Sequence, residues 1–282
     1  MLPYTDRVHL RHTVKTPVDS LSGAFETFND PARFGLFANA ALLYRRGDVR
    51  EGKEAVAVVI PTDRVATANS PTPGSASAYR GLAEQQRFLT ALGTPPAGGG
   101  SSVPFDAAAR GVGPQRATDT GEIRRDLKQR VLVIDTDRTE ALQGFLADAG
   151  KVSTRDLAAQ ASTVFCAIVV SSLSDAPIRS SERLLLTAVG RAENSGFAYS
   201  VTRSKRLAAG TGPILIDPVQ AIIGLRHERR DLAVVPITAA GERLPPLSSS
   251  YADGWLTFTI GPASKTLFYA LETAASAPIP KP

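Results

Sequence analysis

From about Thr118 onward, short runs of β-branched and aromatic residues alternate with clusters of turn formers. No other feature limits the fold as tightly. Runs this short must bury themselves by pairing side by side, the pattern of an antiparallel β-sandwich. Strands are predicted at Arg130–Asp135, Val164–Ser172, Glu182–Arg191, Ile214–Ile216, Ala221–Leu225, Leu232–Thr238, Trp255–Ile260 and Thr266–Leu271. In "RVLVIDT", Val131 and Val133 face one way and Leu132 and Ile134 the other, so both faces of that strand are expected to be buried. "TAAGERL" (Thr238–Leu244) has the form of a hairpin connection, with Gly241 supplying a positive φ. "RTEALQGFLADAG" (Arg138–Gly150) is ambiguous, because its periodicity allows a helix and its shortness allows a strand.

The N-terminal part has a different texture. "DPARFGLFANAALLYRRGD" (Asp30–Asp48) has the marks of a capped helix: Asp30 as N-cap, Pro31 at the first helical position and Gly47 as a left-handed stop. Arg45 and Arg46 suit the negative end of its dipole. Phe34, Phe37, Ala38, Ala41, Leu42 and Tyr44 recur at helical spacing and predict a wide apolar face against a large core. About thirty residues precede the helix, without a long periodic segment to supply that core. Its face is therefore expected to lie exposed or to rest on the sandwich. Deleting residues 1–48 is then expected to leave the sandwich's melting unchanged or to improve solubility.

A strand is predicted over Ala55–Ile60, closed by Pro61, and Ala68–Ser77 is turn-rich. "YRGLAEQQRFLTAL" (Tyr79–Leu92) predicts a short helix with Leu82, Leu89 and Leu92 inward, and Gly93–Pro104 predicts a linker. The organisation expected is residues 1–48, then a connector over 49–112, a β-sandwich domain over 113–276 and a tail over 277–282.

With 43% hydrophobic and 21% charged residues, the chain has an ordinary globular composition. Its net charge of +5 is scattered; the densest basic cluster, "RHERRD" at Arg226–Asp231, is short and holds its own acids, so no nucleic-acid partner is expected. The single cysteine, Cys166, lies in the apolar run "TVFCAIVV" and is expected to be a small buried hydrophobe, with no disulfide framework or thiolate metal site. His9 and His12 lack an acid or cysteine at ligand spacing, and His227 lies in a charged turn with no nucleophile elbow. No metal and no cofactor is expected, since no glycine-rich phosphate loop precedes a helix. No apolar run reaches transmembrane length and the first residues lack a signal-peptide core, so no membrane partner is expected and the localisation is left open.

Several stretches resemble one group of proteins. "FETFNDPARFGLFANAALLYRRGDV" (Phe25–Val49) resembles the last helix of the catalytic (β/α) barrel in a group of large bacterial glycoside hydrolases. "TDTGEIRRDLKQRVLVIDTDRTEALQGFL" (Thr118–Leu146) is similar to the opening of their β-rich C-terminal domain. "SERLLLTAVGRAENSGF" (Ser181–Phe197), "GTGPILIDPV" (Gly210–Val219) and "GWLTFTIGPASKTLFYAL" (Gly254–Leu271) resemble later parts of it. The resemblance implies a mainly β protein, an antiparallel β-sandwich preceded by a short α/β remnant of a TIM barrel. It implies the C-terminal accessory region of a carbohydrate-active enzyme, with carbohydrate and the missing barrel portion as partners. Such a parent enzyme is compatible with a secreted or periplasmic location.

Glycoside hydrolysis uses two carboxylates at barrel strand ends, which the resemblance places before Met1, so no catalytic residue is assigned. Asp19 and Glu26 lie in a loop that could border an active-site rim or simply be exposed. Two binding candidates remain. Arg191, Glu193 and Asn194 in "GRAENSG" could meet a sugar, or form an Arg–Glu pair and a left-handed turn, the reading favoured. Trp255 shares a strand face with Thr257 and Thr259, where an indole could stack on a sugar ring. Packing against the barrel remnant is the favoured alternative for Trp255. The alternative for the whole chain is a stand-alone carbohydrate-binding or structural β-sandwich module.

Overall fold

Two antiparallel sheets close over one apolar core in the computed structural model, which describes residues 31–64, 82, 84–95, 101–104, 113–201 and 205–273. The larger sheet is built from β4 (Gln115–Ala117), β5 (Ile123–Asp126), β6 (Val131–Asp135), β7 (Thr139–Gly144), β10 (Cys166–Ser172), β11 (Arg183–Val189), β15 (Ala233–Ile237) and β18 (Phe268–Glu272). Its spatial order is β15-β18-β11-β10-β7-β6-β5-β4. The smaller sheet contains β8 (Lys151–Ser153), β9 (Leu157–Ala161), β14 (Ala221–Arg226), β16 (Ser249–Ala252) and β17 (Trp255–Ile260), in the order β16-β17-β14-β9-β8.

The period-2 alternation of each strand sends one set of side chains inward. From the larger sheet come Leu142, Ile168, Val170, Leu184, Leu186 and Tyr269; from the smaller come Leu157, Ile223, Leu225, Leu256, Phe258 and Ile260. Cys166 is buried among them, and burial pushes its thiol up to about 12, so it stays a neutral thiol at physiological pH. A long hairpin of β12 (Ala192–Tyr199) and β13 (Arg206–Ile216) forms a sheet of its own.

Before the sandwich lie α1 (Pro31–Arg45) and a parallel three-stranded sheet in the order β2-β1-β3, from β1 (Ala55–Ile60), β2 (Arg87–Leu92) and β3 (Ser101–Pro104). The helix predicted at Tyr79–Leu92 is corrected in its second half: Arg87–Leu92 pairs residue for residue with Ala55–Ile60, and Leu89 and Leu92 are exposed. The buried β1 needs hydrogen-bonding neighbours on both sides, and that demand outweighs a short stretch's helical propensity. The second neighbour is Ser101–Pro104, inside the predicted linker. The ambiguous Arg138–Gly150 divides into β7 and a one-turn helix, α2 (Leu146–Ala149). Gly241 has φ 87° in the connection bridged by Ile237 and Arg243.

Helix α1 starts at Pro31 and stops at Gly47 (φ 60°), while Asp30 lies outside the described residues. Its expected apolar face is corrected too. Phe34, Phe37 and Tyr44 are 66%, 53% and 85% exposed, whereas Ala32, Gly35 and Asn39 are buried. The helix lies on the outer face of β10 and β11 through its small side. A Cβ on Gly35 would already come within 3.2 Å of Leu267 and 3.3 Å of Val189, so no aromatic ring could take that place.

Polar groups complete the contact. Asn39 Nδ2 donates to Ser171 Oγ (3.0 Å), and Thr187 Oγ1 donates to Asn39 Oδ1 (2.6 Å). Just beyond the helix, Asp48 accepts from Arg46 (2.6 Å) and Thr139 Oγ1 (3.0 Å) and pairs with Arg138 (2.9 Å). α1 is thus bound into the sandwich, and removing residues 1–48 would uncover buried Ala167, Val169, Ser171, Thr187 and Val189. Asn39→Ala leaves the buried Thr187 hydroxyl without its acceptor and removes one of the two hydrogen bonds of Ser171 Oγ, and is expected to cost about 2 kcal/mol. A lowered midpoint in urea unfolding checks it; an unchanged midpoint would show that α1 is not part of the cooperative unit.

Candidate functional site

The candidate site is the outer face of the smaller sheet. With Leu256, Phe258 and Ile260 committed to the core, Trp255, Thr257 and Thr259 must face out. On β14 the inward residues are Ala221, Ile223 and Leu225, which leaves Ile222, Gly224 and Arg226 on the outer face. The ladders are in register: Trp255 lies opposite Arg226, and Thr257 opposite Gly224, which in turn lies opposite Ala158.

The indole does not stand upright from its own strand. It leans diagonally across Gly224, where a Cβ would meet Trp255 Cε3 at 3.4 Å and Cζ3 at 3.8 Å. Any side chain much larger than alanine at 224 would lift the ring off the sheet. The half-buried indole ends a groove of ≈ 320 Å³ whose floor includes Ala158 and Gly224. Lys151, Ser153, Thr154, Gln160, Ile222 and Thr257 also line it. An aromatic platform with hydroxyl, amide and ammonium groups around it can stack on an apolar ring face and hydrogen-bond to its rim.

Of the barrel remnant on which sequence favours Trp255 packing, the described residues include α1. α1 packs on β10 and β11 of the larger sheet, while Trp255 belongs to the outer face of the smaller one, so the indole does not pack on that helix. The other candidates lie elsewhere. Arg191 pairs with Asp217 (3.0 Å) and Glu193 (3.7 Å) at the base of the β12–β13 hairpin. Asn194 sits in strand β12, not in a left-handed turn, and donates to Ala209 O (3.1 Å); the positive φ belongs to Gly196. That hairpin leads into the Ala221 end of β14, whereas Trp255 lies opposite Arg226 at the other end. The structure therefore does not bring Arg191, Glu193 and Asn194 together with Trp255. Asp19, Glu26, His9 and His12 fall outside the described residues.

Sequence reasoning missed Lys151, Gln160 and Gly224. A usable signal was present in "RDLAAQA", where alternation puts Gln160 opposite in sense to Leu157, Ala159 and Ala161. His227, expected in a turn, is buried, with Nδ1 accepting from the Arg229 N–H (3.0 Å) and Nε2 facing Ser181 O (3.0 Å). That pattern needs the neutral Nε2–H tautomer, and burial holds its pKa below the usual range.

A second cleft, of ≈ 700 Å³, lies where the loop after α1 meets the larger sheet. Its acids are held by arginines. Glu122 accepts from the Arg50 N–H (2.9 Å) and Nε (2.5 Å), Asp137 pairs with Arg155 (2.8 Å), and Asp135 pairs with Arg124 (3.3 Å). Burial alone would raise the Glu122 carboxyl, but the Arg50 hydrogen bonds outweigh it and hold it below the usual range. Beneath the cleft, Glu140 is fully buried, accepting from Thr154 Oγ1 (2.6 Å) and the Asp156 N–H (3.1 Å). Burial pushes it up to about 7, helped by the charges of Asp135 and Asp156 and opposed by the Thr154 hydrogen bond. A raised carboxyl is an acid–base candidate in principle, but this one has no surface to offer a sugar. It is a structural group.

Among the described residues no three His, Cys, Asp or Glu side chains are grouped to hold a metal ion, and no helix is long and apolar enough to cross a membrane. No family model, no curated protein and no solved structure matches the chain.

The Glu140 shift has a definite sign. Its folded pKa lies above the 4.5 of a solvated glutamate, so its contribution to stability is complete below about 4.5 and is lost as pH rises through about 7. Glu140→Gln keeps the acceptor for Asp156 N–H and can donate to Thr154 Oγ1. The variant is expected to gain stability relative to the parent between pH 5 and pH 8, measured by urea unfolding at each pH. A constant difference across that range would show that Glu140 is ionised throughout.

Proposed function

We propose that this chain is the β-rich accessory region of a carbohydrate-active, glycoside hydrolase-like enzyme, and that its own contribution is to bind sugar, not to cleave it. One observation carries the reading: the Trp255 indole spread over Gly224 at the end of an open groove lined by hydroxyl, amide and ammonium groups. Stacking on the C–H face of a pyranose uses the apolar ring, and the polar side chains answer the sugar's hydroxyls. The resemblance of Phe25–Val49, Thr118–Leu146, Ser181–Phe197, Gly210–Val219 and Gly254–Leu271 to glycoside hydrolases supports the same sugar chemistry. The acids of the second cleft are tied to arginine or enclosed, which gives no reason to place the two carboxylates of hydrolysis there.

A second role is favoured by α1. Phe34, Phe37 and Tyr44 turn outward from a helix whose other side is docked on the sandwich. Together with the parallel β1–β3 sheet, this suits the end of a (β/α) barrel that the sandwich would buttress.

The test is Trp255→Ala. Retention on insoluble polysaccharide should be lost at a stability cost of about 1 kcal/mol, well under the roughly 3–5 kcal/mol of emptying a packed aromatic site. Aryl-glycoside hydrolysis by the parent chain should stay at background. Loss of several kcal/mol with no retention to lose would overturn the binding role in favour of the buttress.

A further inference from the structure

The groove has one sign of charge. Lys151 is its only charged lining residue, and none of the lining residues is acidic. Arg226, cross-strand from Trp255, shares the outer face and extends the positive character past the indole. Neither Lys151 nor Arg226 has an ion-pair partner among the described residues. Several arginines elsewhere are tied to acids: Arg46 and Arg138 to Asp48, Arg155 to Asp137, Arg179 to Asp156, and Arg229 to Asp231. The acid nearest Trp255 in sequence, Asp253, occupies the hairpin turn with φ 50° and does not line the groove.

Register fixes where the cation and the indole stand. Lys151 is opposite Gln160, Gln160 opposite Ile222, and Ile222 opposite Thr259. Trp255 is thus three strands away from Lys151 and four residues along, which is about 14 Å across the strands and about 13 Å along them. The groove runs diagonally between the two, with Gln160, Ile222 and Gly224 on the way. These are backbone separations; the indole's lean across Gly224 shortens the gap but leaves Lys151 two strands further on. An oligosaccharide laid along the diagonal could stack at one end and place an anionic substituent at the other.

We infer that the outer face of the smaller sheet selects acidic oligosaccharides, with Trp255 as the stacking platform and Lys151 as the residue that recognises the carboxylate or sulfate. This rests on the sugar-binding reading above and adds the class of sugar. A carboxylate or sulfate in the groove would gain from unpaired cations and meet no opposing acid. A neutral glycan would use the indole but leave Lys151 without a partner.

Trp255 is the chain's only tryptophan, so its fluorescence reports on the groove directly. The full chain is titrated with oligogalacturonate, with sulfated carrageenan oligosaccharides and with neutral xylo-oligosaccharides of similar length. At least one acidic series is expected to change the emission saturably, about tenfold more tightly than the neutral one and more weakly as salt is raised. The stronger of the two acidic responses identifies carboxylate or sulfate as the group read. Lys151→Gln, on a short edge strand, is expected to lower the acidic-to-neutral affinity ratio about tenfold. Neutral oligosaccharides binding as tightly as acidic ones, or a ratio unmoved in Lys151→Gln, would overturn the inference while leaving sugar binding in place. No response to any of the three series would overturn the sugar-binding reading itself.

Discussion

Ala221, Ile223 and Leu225 on β14, and Leu256, Phe258 and Ile260 on β17, must all point into the shared core, and the rest of the molecule's surface chemistry follows from that. A strand has two faces and a period of two, so burying these six leaves no freedom for the residues between them. Trp255, Thr257 and Gly224 are on the outer face because the core claims their neighbours. A slip of one residue between β14 and β17 would bury the indole and expose Phe258. The driving force is the removal of aliphatic and aromatic surface from water, and register is its by-product.

The opposite side of the sandwich is covered by other means. β10 is buried along its whole length, its outward Ala167, Val169 and Ser171 lying under α1. That contact combines small residues, which let helix and sheet come close, with a continuous chain of hydrogen bonds from Asn39 through Ser171 and Thr139 to Asp48. Enclosed polar groups bind the helix in one orientation, because any rotation leaves hydroxyls and a carboxylate unsatisfied in a dry contact. The bulky rings of α1 are thereby turned to solvent. A helix with an aromatic outer side and a small, polar inner side has its two faces set for two different neighbours.

Charge is distributed just as unevenly. Near the loop after α1, acids and arginines lie within hydrogen-bond distance of one another, with Glu140 enclosed beneath them. Such a cluster orders loops and raises a buried carboxyl, but its groups are occupied with one another. On the outer face of the smaller sheet the cations Lys151 and Arg226 have no such neighbours among the described residues. A ligand there would not have to displace an internal partner.

Much of this architecture was legible in the sequence, and the boundary has physical causes. Strongly apolar or alternating runs such as "RVLVIDT" and "WLTFTI" identified their own strands, and Asp-free, Gly-punctuated hairpin connections such as "TAAGERL" marked themselves by the residue that tolerates positive φ. The outward placement of Trp255 with Thr257 was equally local, since it needs only the period of a strand. What sequence could not decide was everything that depends on a second element. Arg87–Leu92 became a strand because β1 needed a partner, and Lys151 and Gln160 entered the groove only through pairing with β9 and β14. The face α1 would bury was misjudged because hydrophobicity predicts what prefers to leave water, while close approach to Val189 and Leu267 admits only what is small enough to fit. The sequence by itself determined the strands and the face each residue takes; tertiary structure decided which faces meet, because pairing, steric fit and hydrogen-bond completion are properties of two surfaces and not of one.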